Sequence, residues 1–119
     1  MLFVCYPKCS TCKKAQERLD ARGAVYAYRN IKEQNPTEEE LRDWHARSGL
    51  PLKKFFNTSG LLYKELKLKD TLPGMTEDEQ FRLLASDGML VRRPILITDE
   101  GRVLVGFREA EYEQILCQI

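Results

Sequence analysis

Two cysteines stand three positions apart in the segment YPKCSTCKKA, residues 6–15, just after a short apolar run and between lysines. Cysteine acts as a nucleophile or as a metal ligand only in its thiolate form, so its surroundings decide its chemistry. Three interpretations of Cys9 and Cys12 follow from the spacing: a redox pair, half of a metal site, or two small core residues.

The position of the pair favours the redox interpretation. The run LFVCY, residues 2–6, predicts a buried strand, Pro7 ends it, and a helical pattern follows from Ser10. Free N–H groups and the dipole at a helix start lower the pKa of a thiol there from about 8.5 to about 3.5–7.5. Cys9 is then a nucleophile, and Cys12, one turn further on the same side, can resolve a mixed disulfide on it. Weaker help is expected from three lysines, Lys8, Lys13 and Lys14.

A metal site is not expected. A structural zinc site needs four ligands, and only Cys5, Cys117 and His45 remain as candidates. Cys5 falls in a predicted strand, and Cys117 lies near the other end of the sequence. We expect both to be small buried hydrophobes, and we expect His45 to lie on a helix flank beside Trp44 without a catalytic role.

Length and charge limit the classes of function. A chain of 119 residues predicts a single domain, residues 1–119, that can bury a hydrophobic core without disulfides or a structural metal. Lys and Arg number 19 against 18 Asp and Glu, so no strong overall field attracts nucleic acid or membranes, although a local basic patch is still allowed. The sequence shows no secretory signal and no membrane span, so we expect a cytoplasmic protein with reduced cysteines.

The elements that would position the cysteines form two halves. The first half is a β-α-β unit, whose crossover makes its two strands parallel. The second half is a hairpin with a turn at Gly101, followed by an amphipathic helix. The predicted strands are LFVCY (2–6), AVYAYRNI (24–31), PILIT (94–98) and VLVGF (103–107), and the predicted helices are 10–22 and EAEYEQILCQI (109–119).

A helical insertion is predicted between the two halves, at about residues 37–90. It opens with one capping-box pattern, Thr37 with Glu40, and contains a second, Thr76 with Glu79. Their helices should end at Gly49 and Gly88, and short helices broken at NTSG should lie between them. The predicted fold class is therefore α/β: a mixed four-stranded sheet flanked by helices, with a helical insertion between the βαβ and ββα halves.

Three segments of the chain resemble blocks of the arsenate reductase (ArsC) and Spx/MgsR family, in the same order and at similar spacing. They are YPKCSTCKKAQERL, LPLKKFFNTSGLLYKEL and LLASDGMLVRRPILI. The likeness is greatest to the Spx/MgsR-type branch. It implies a thioredoxin-like fold with a helical insertion and redox chemistry at Cys9, with a second cysteine, as in the Spx branch, at Cys12.

The same resemblance places the family's Arg-Pro element on Arg93 and Pro94. It implies that the proline is cis and lies beside Cys9, so that Arg93 directs a fixed positive charge at the thiolate or at an anionic substrate. Without the resemblance, Arg93 would be interpreted as a surface arginine flanking a strand. Positions where arsenate reductases carry further arginines fall on Asn57 and Gly106, so efficient arsenate turnover is not expected.

Three functional hypotheses remain. The first is a thiol–disulfide oxidoreductase without a bound cofactor, reduced by glutathione, thioredoxin or glutaredoxin. The second is a redox-sensing regulator of the Spx type that contacts the RNA polymerase alpha subunit; no helix-turn-helix signature or basic stripe indicates direct nucleic-acid binding. The third is an adaptor domain without chemistry, and a CxxC motif at a helix start counts against it. Whether the chain is an enzyme or a switch stays open at this point.

Overall fold

Four strands and six α-helices make up the computed structural model, which describes residues 1–117. The strands are β1 (Leu2–Cys5), β2 (Ala27–Asn30), β3 (Ile95–Ile97) and β4 (Val103–Val105). The helices are α1 (Ser10–Ala21), α2 (Glu38–Ser48), α3 (Leu61–Glu65), α4 (Leu68–Thr71), α5 (Glu77–Ser86) and α6 (Glu109–Leu116), with short 3-10 helices at Leu52–Phe55, Leu72–Gly74 and Gly88–Leu90.

The sheet has the strand order β2-β1-β3-β4, with β1 and β2 parallel and the other two pairings antiparallel. The predicted mixed four-stranded sheet is therefore confirmed. In the centre of the sheet, Phe3 stands opposite Tyr28 on one side and Leu96 on the other. Because β1 is central, the loop that leaves it carries Cys9 to the middle of one edge of the sheet.

Alternating strand residues divide the core between the two faces of the sheet. Val4 and Ile95 point to the face that the insertion covers, where they meet buried residues such as Leu41 and Phe56. Phe3, Cys5, Leu96 and Leu104 point to the opposite face. There they pack with the residues that α1 and α6 bury: Cys12, Ala15, Leu19, Tyr112, Ile115 and Leu116.

Several element boundaries differ from the prediction, and hydrogen bonds explain two of the differences. The second strand begins at Ala27 rather than at residue 24, because the Ala24 N–H donates back to the Leu19 carbonyl at the end of α1. Helix α5 ends at Ser86 rather than at Gly88. Asp87 adopts an extended conformation, and its side chain accepts a hydrogen bond from the Met89 N–H, which starts a 3-10 helix instead.

Both predicted capping boxes are present. Glu40 N–H donates to the Thr37 hydroxyl oxygen, and Thr37 N–H donates to the Glu40 carboxylate, at 3.1 and 3.0 Å. The same exchange joins Thr76 and Glu79. Arg29 of β2 also binds the two Glu40 oxygens at 2.6 and 2.9 Å, and this contact lowers the pKa of Glu40. The start of α2 is thus tied to the sheet.

The isolated candidates have mixed outcomes. Cys5 is buried, as predicted, but Cys117 is exposed, so the expectation of a buried hydrophobe is wrong there. Cys117 follows the last buried turn of α6, and the Arg22 guanidinium donates to its sulfur at 3.6 Å. His45 is half-buried beside Trp44, and its ring makes edge contacts with Phe55 and Phe81. That environment is one of packing.

Gly88 holds the segment that leads to Arg93 against the loop after β2. A Cβ at residue 88 would overlap the backbone carbonyl of Ile31, which cannot move aside like a flexible side chain. We therefore expect Gly88→Ala to lower the free energy of unfolding by about 1–3 kcal/mol, measured by urea denaturation. Gly74→Ala is the matched control, because nothing lies within 4 Å of its Cβ position. An equal effect of the two substitutions would contradict this interpretation.

Candidate active site

Cys9 occupies the N-cap position of α1, where the sequence predicted it. Its backbone is extended (φ −94°, ψ 121°), its N–H donates to the Tyr6 carbonyl at 3.0 Å, and its carbonyl accepts the N–H of Lys13 at 3.1 Å. The first bond closes the turn after β1, and the second opens the helix. The Cys9 side chain therefore stands beside the N–H groups that the first helical turn leaves free.

Two neighbours favour the thiolate of Cys9. Partial burial of the sulfur opposes the charge, but the backbone N–H of Cys12, the Cys12 thiol and the Arg93 guanidinium together outweigh it. The net result is a pKa of Cys9 below its ordinary value. The neighbouring lysines, Lys8, Lys13 and Lys14, are exposed, and Arg93 is the cation that favours the Cys9 thiolate by both a hydrogen bond and its charge.

Cys12 lies beneath Cys9 in the core, with 2% of its surface exposed. The backbone N–H of Tyr6 donates to its sulfur at 3.4 Å. Contact with the Cys5 thiol raises the pKa of Cys12, and so do its burial and the negative charge on Cys9. The pair is therefore unequal: the accessible sulfur favours the anion, and the buried one keeps its proton. Both are free thiols in this structure.

Arg93 is half-buried at the site, and its peptide bond to Pro94 is cis. Its guanidinium carbon lies 5.3 Å from the centre of the Tyr6 ring. Nε and Nη1 are buried and have no hydrogen-bond partner among the described residues. Unpaired buried donors on a cation are costly, so this group is prepared to receive an anion. Arg93 is therefore not an ordinary surface arginine.

An open cavity of about 470 Å³ contains these groups. Asn57 and Gly106, the two uncharged positions that the resemblance aligned with arginines, both line it. A Cβ at Gly106 would lie 2.9 Å from Nε of Arg92, so the Arg92 guanidinium occupies the space that a side chain there would need. The cavity is lined by Cys9, Thr11, Phe56, Asn57, Thr58, Ser59, Gly60, Arg92, Arg93, Gly106 and Phe107.

Arg92 is the site residue that sequence reasoning missed. The signal was present in the doubled arginine of VRRP, but only Arg93 matched a family element. Two backbone hydrogen bonds hold this segment to the insertion: Arg92 N–H to the Phe55 carbonyl at 2.7 Å, and Asn57 N–H to the Leu90 carbonyl at 2.8 Å. The insertion therefore fixes where both arginines enter the cavity.

The described part of the chain holds no group of three His, Cys, Asp or Glu residues placed to bind a metal ion. Between residues 1 and 117, no helix combines the length and the apolar character needed to cross a bilayer.

The ArsC family model matches residues 5–115. The chain belongs to the ArsC family. The YusI protein of Bacillus subtilis strain 168 is 53% identical over 114 residues, which cover 96% of this chain and 96% of YusI. The regulatory protein MgsR of the same strain is 29% identical over 111 residues, which cover 93% of this chain and 86% of MgsR.

Solved structures of the family share the fold. An ArsC family related protein from Bacteroides fragilis matches with a TM-score of 0.92 and 54% identity, covering 96% of this chain and 95% of that one. A possible arsenate reductase from Streptococcus mutans UA159 matches with a TM-score of 0.86 and 48% identity, over 96% and 95%. The thioredoxin-like fold that the resemblance implied is confirmed.

The lowered pKa of Cys9 predicts its reaction with iodoacetamide. In a Cys117→Ser background, Cys9 is the accessible thiol among the described residues, because Cys5 and Cys12 are buried. The alkylation rate should rise with pH along a curve whose midpoint lies below the value of about 8.5 for a free cysteine, since only the thiolate reacts.

Arg93→Gln should move that midpoint upward, because it removes a charge and a hydrogen bond that favour the anion. The control is Arg82→Gln, which makes the same charge change on the exposed face of α5 and should leave the midpoint in place. Equal midpoints in the parent and in Arg93→Gln would refute the assigned role of Arg93.

Proposed function

We propose that this chain is a thiol–disulfide redox protein in which Cys9 is the nucleophile and Cys12 the resolving cysteine. The observation that carries the proposal is the unequal pair at the start of α1. The Cys9 thiolate is favoured by the Cys12 N–H and by Arg93, and a buried thiol waits one turn away. Such a pair separates attack on an outside sulfur from release of the product.

The reaction proceeds in two exchanges. The Cys9 thiolate attacks one sulfur of a disulfide, forms a mixed disulfide, and expels the other sulfur as a thiolate. Cys12 then attacks the Cys9 sulfur, and the bond between Cys9 and the substrate sulfur breaks. The Cys12 proton passes to the departing substrate sulfur, which leaves as a thiol, and a Cys9–Cys12 disulfide remains. The substrate has gained the two electrons that the pair has lost. A thiol reductant of the glutathione, thioredoxin or glutaredoxin class returns them.

Arg93 and Pro94 position the substrate in this proposal. The buried guanidinium N–H groups of Arg93 require a negatively charged partner. The Cys9 thiolate is that partner before attack, and the departing thiolate takes its place afterwards. Arsenate is the less favoured substrate, because Asn57 and Gly106 bring no charge. Arg92 restores one cation beside Gly106, so arsenate belongs among the substrates assayed.

A redox switch is the second candidate function, and the 29% identity to MgsR favours it. In this alternative the same pair changes between dithiol and disulfide, and the affinity for the alpha subunit of RNA polymerase depends on that redox state. Both functions are compatible with a cytoplasmic protein whose resting thiols are reduced.

Two serine substitutions test the enzyme proposal with a model disulfide. Cys9→Ser should reduce turnover by roughly 10³-fold or more, because the attacking sulfur is gone. Cys12→Ser should still attack once and then stop as a mixed disulfide, visible as an added mass on Cys9. Cys117→Ser is the control and should retain full turnover. Full activity of Cys9→Ser would refute the proposal.

Binding to the polymerase alpha C-terminal domain tests the switch. Calorimetric titration of the dithiol and disulfide forms should give dissociation constants that differ by about tenfold or more if the pair controls the contact. Cys12→Ser, which cannot form the internal disulfide, should lose the dependence on oxidant. Failure of both forms to bind would remove this candidate and leave the enzyme proposal intact.

A further inference from the structure

A second cavity adjoins the one that holds Cys9. It has a volume of about 220 Å³ and runs along β4, the edge strand of the sheet, between the end of α2 and the start of α6. Arg92 and Phe107 line both cavities, so the two lie next to each other at these side chains. We call this second cavity the β4 groove.

The β4 groove is strongly basic, although the whole chain carries a net charge of only +1. Of the charged side chains that line it, Arg47, Lys54, Arg92, Arg102 and Arg108 are basic, and Glu111 alone is acidic.

Most of this charge is not neutralised within the protein. Arg47 is bound by Asp43 at 2.9 Å. Across residues 1–117, no carboxylate lies within 4 Å of the side-chain nitrogens of Lys54, Arg92, Arg102 or Arg108. Convergent cations without internal partners favour an anionic ligand.

The floor of the groove favours an extended ligand. Within the described residues, β4 pairs with β3 alone, so its other side offers backbone N–H and C=O groups to an added strand. Arg102 precedes β4 and Arg108 follows it, which places a cation near each end of a three-residue strand. A peptide segment with acidic side chains matches both features. A small anion would use only the charge.

We propose that the β4 groove docks an extended acidic segment of the protein whose disulfide Cys9 attacks. This inference rests on the proposed function, and it names the class of partner: a protein with carboxylate side chains close to its reactive cysteine. The segment adds beside β4, its carboxylates meet Arg102 and Arg108, and its cysteine reaches Cys9 past Arg92 and Phe107. The chemistry is the first exchange described above.

Two synthetic peptides test the docking. Each is an eight-residue chain with one cysteine held as a mixed disulfide with 2-nitro-5-thiobenzoate, and they differ only in carrying Glu or Lys before the cysteine. In a Cys117→Ser background, which removes the exposed thiol outside the site, attack by the Cys9 thiolate joins the peptide to Cys9 and releases the coloured thiolate. At low salt the Glu peptide should react about tenfold faster or more, and added salt should shrink the difference.

Matched charge reversals locate the effect. Arg102→Glu combined with Arg108→Glu should abolish or invert the preference for the Glu peptide. Lys32→Glu combined with Lys69→Glu makes the same change in net charge at exposed positions outside the groove and should keep the preference. Thermal unfolding confirms that both variants are folded. A preference that survives in the Arg102 and Arg108 variant would overturn the proposal.

Two further arms separate the remaining outcomes. N-methylation of the peptide backbone beside β4 should remove the advantage, and an unchanged rate would refute strand addition. The glutathione mixed disulfide should react more slowly than the Glu peptide, and an equal rate would show binding of a small anion only. Equal rates for the Glu and Lys peptides would sink the docking alone. Absence of any coloured release in the Cys117→Ser background would refute the proposed function as well.

Discussion

Cys9 lies at the boundary between solvent and core, so a negative charge on its sulfur needs favourable partners from the surrounding elements. The strand β1 has to end just before it, α1 has to begin just after it, and a cation has to come from a distant part of the chain. A helix start supplies only partial charges. Arg93 supplies the full charge, and because it is half-buried, water screens that charge less than it screens the exposed lysines.

The helical insertion holds the segment that carries Arg93 in this position. Phe56 and Val91 form an isolated bridge, and the hydrogen bonds on either side of it join the 55–57 segment to the 90–92 segment. Gly88 lets the chain pass against Ile31 on its way to this bridge. The arginines are thus held by the core of the insertion. That core lies on the opposite face of the sheet from the buried thiols.

Local patterns were predictable from the sequence, and contacts between distant segments were not. The two capping boxes are defined by residues three positions apart, and Cys9 is placed by the strand and helix that flank it. The predicted start of β2 was wrong because Ala24 makes a hydrogen bond to the end of α1, and strand propensity does not indicate such a contact. The expected burial of Cys117 was also wrong, because a free cysteine is buried only where its helix faces the core.

Arg92 shows most clearly what a single sequence omits. Its importance comes from Gly106, which lies 14 positions later and leaves the space that the Arg92 guanidinium fills. The cation beside Gly106 thus comes from a residue that is distant in the sequence, so charge at this site is a property of the folded surface. The basic groove along β4 has the same origin, since its cations come from separate elements. In the net charge of +1 they are nearly cancelled by acidic residues elsewhere in the chain.

The two candidate functions use the same physical coupling. In both, oxidation of Cys9 and Cys12 to a disulfide would remove the negative charge beside Arg93, whose Nε and Nη1 are already without partners in the described structure. The oxidised form therefore has more to gain from an external anion than the reduced form. In an enzyme this difference would favour entry of an anionic reductant after each cycle. In a switch, the same difference would change the affinity for a protein partner, so chemistry and signalling need no separate machinery here.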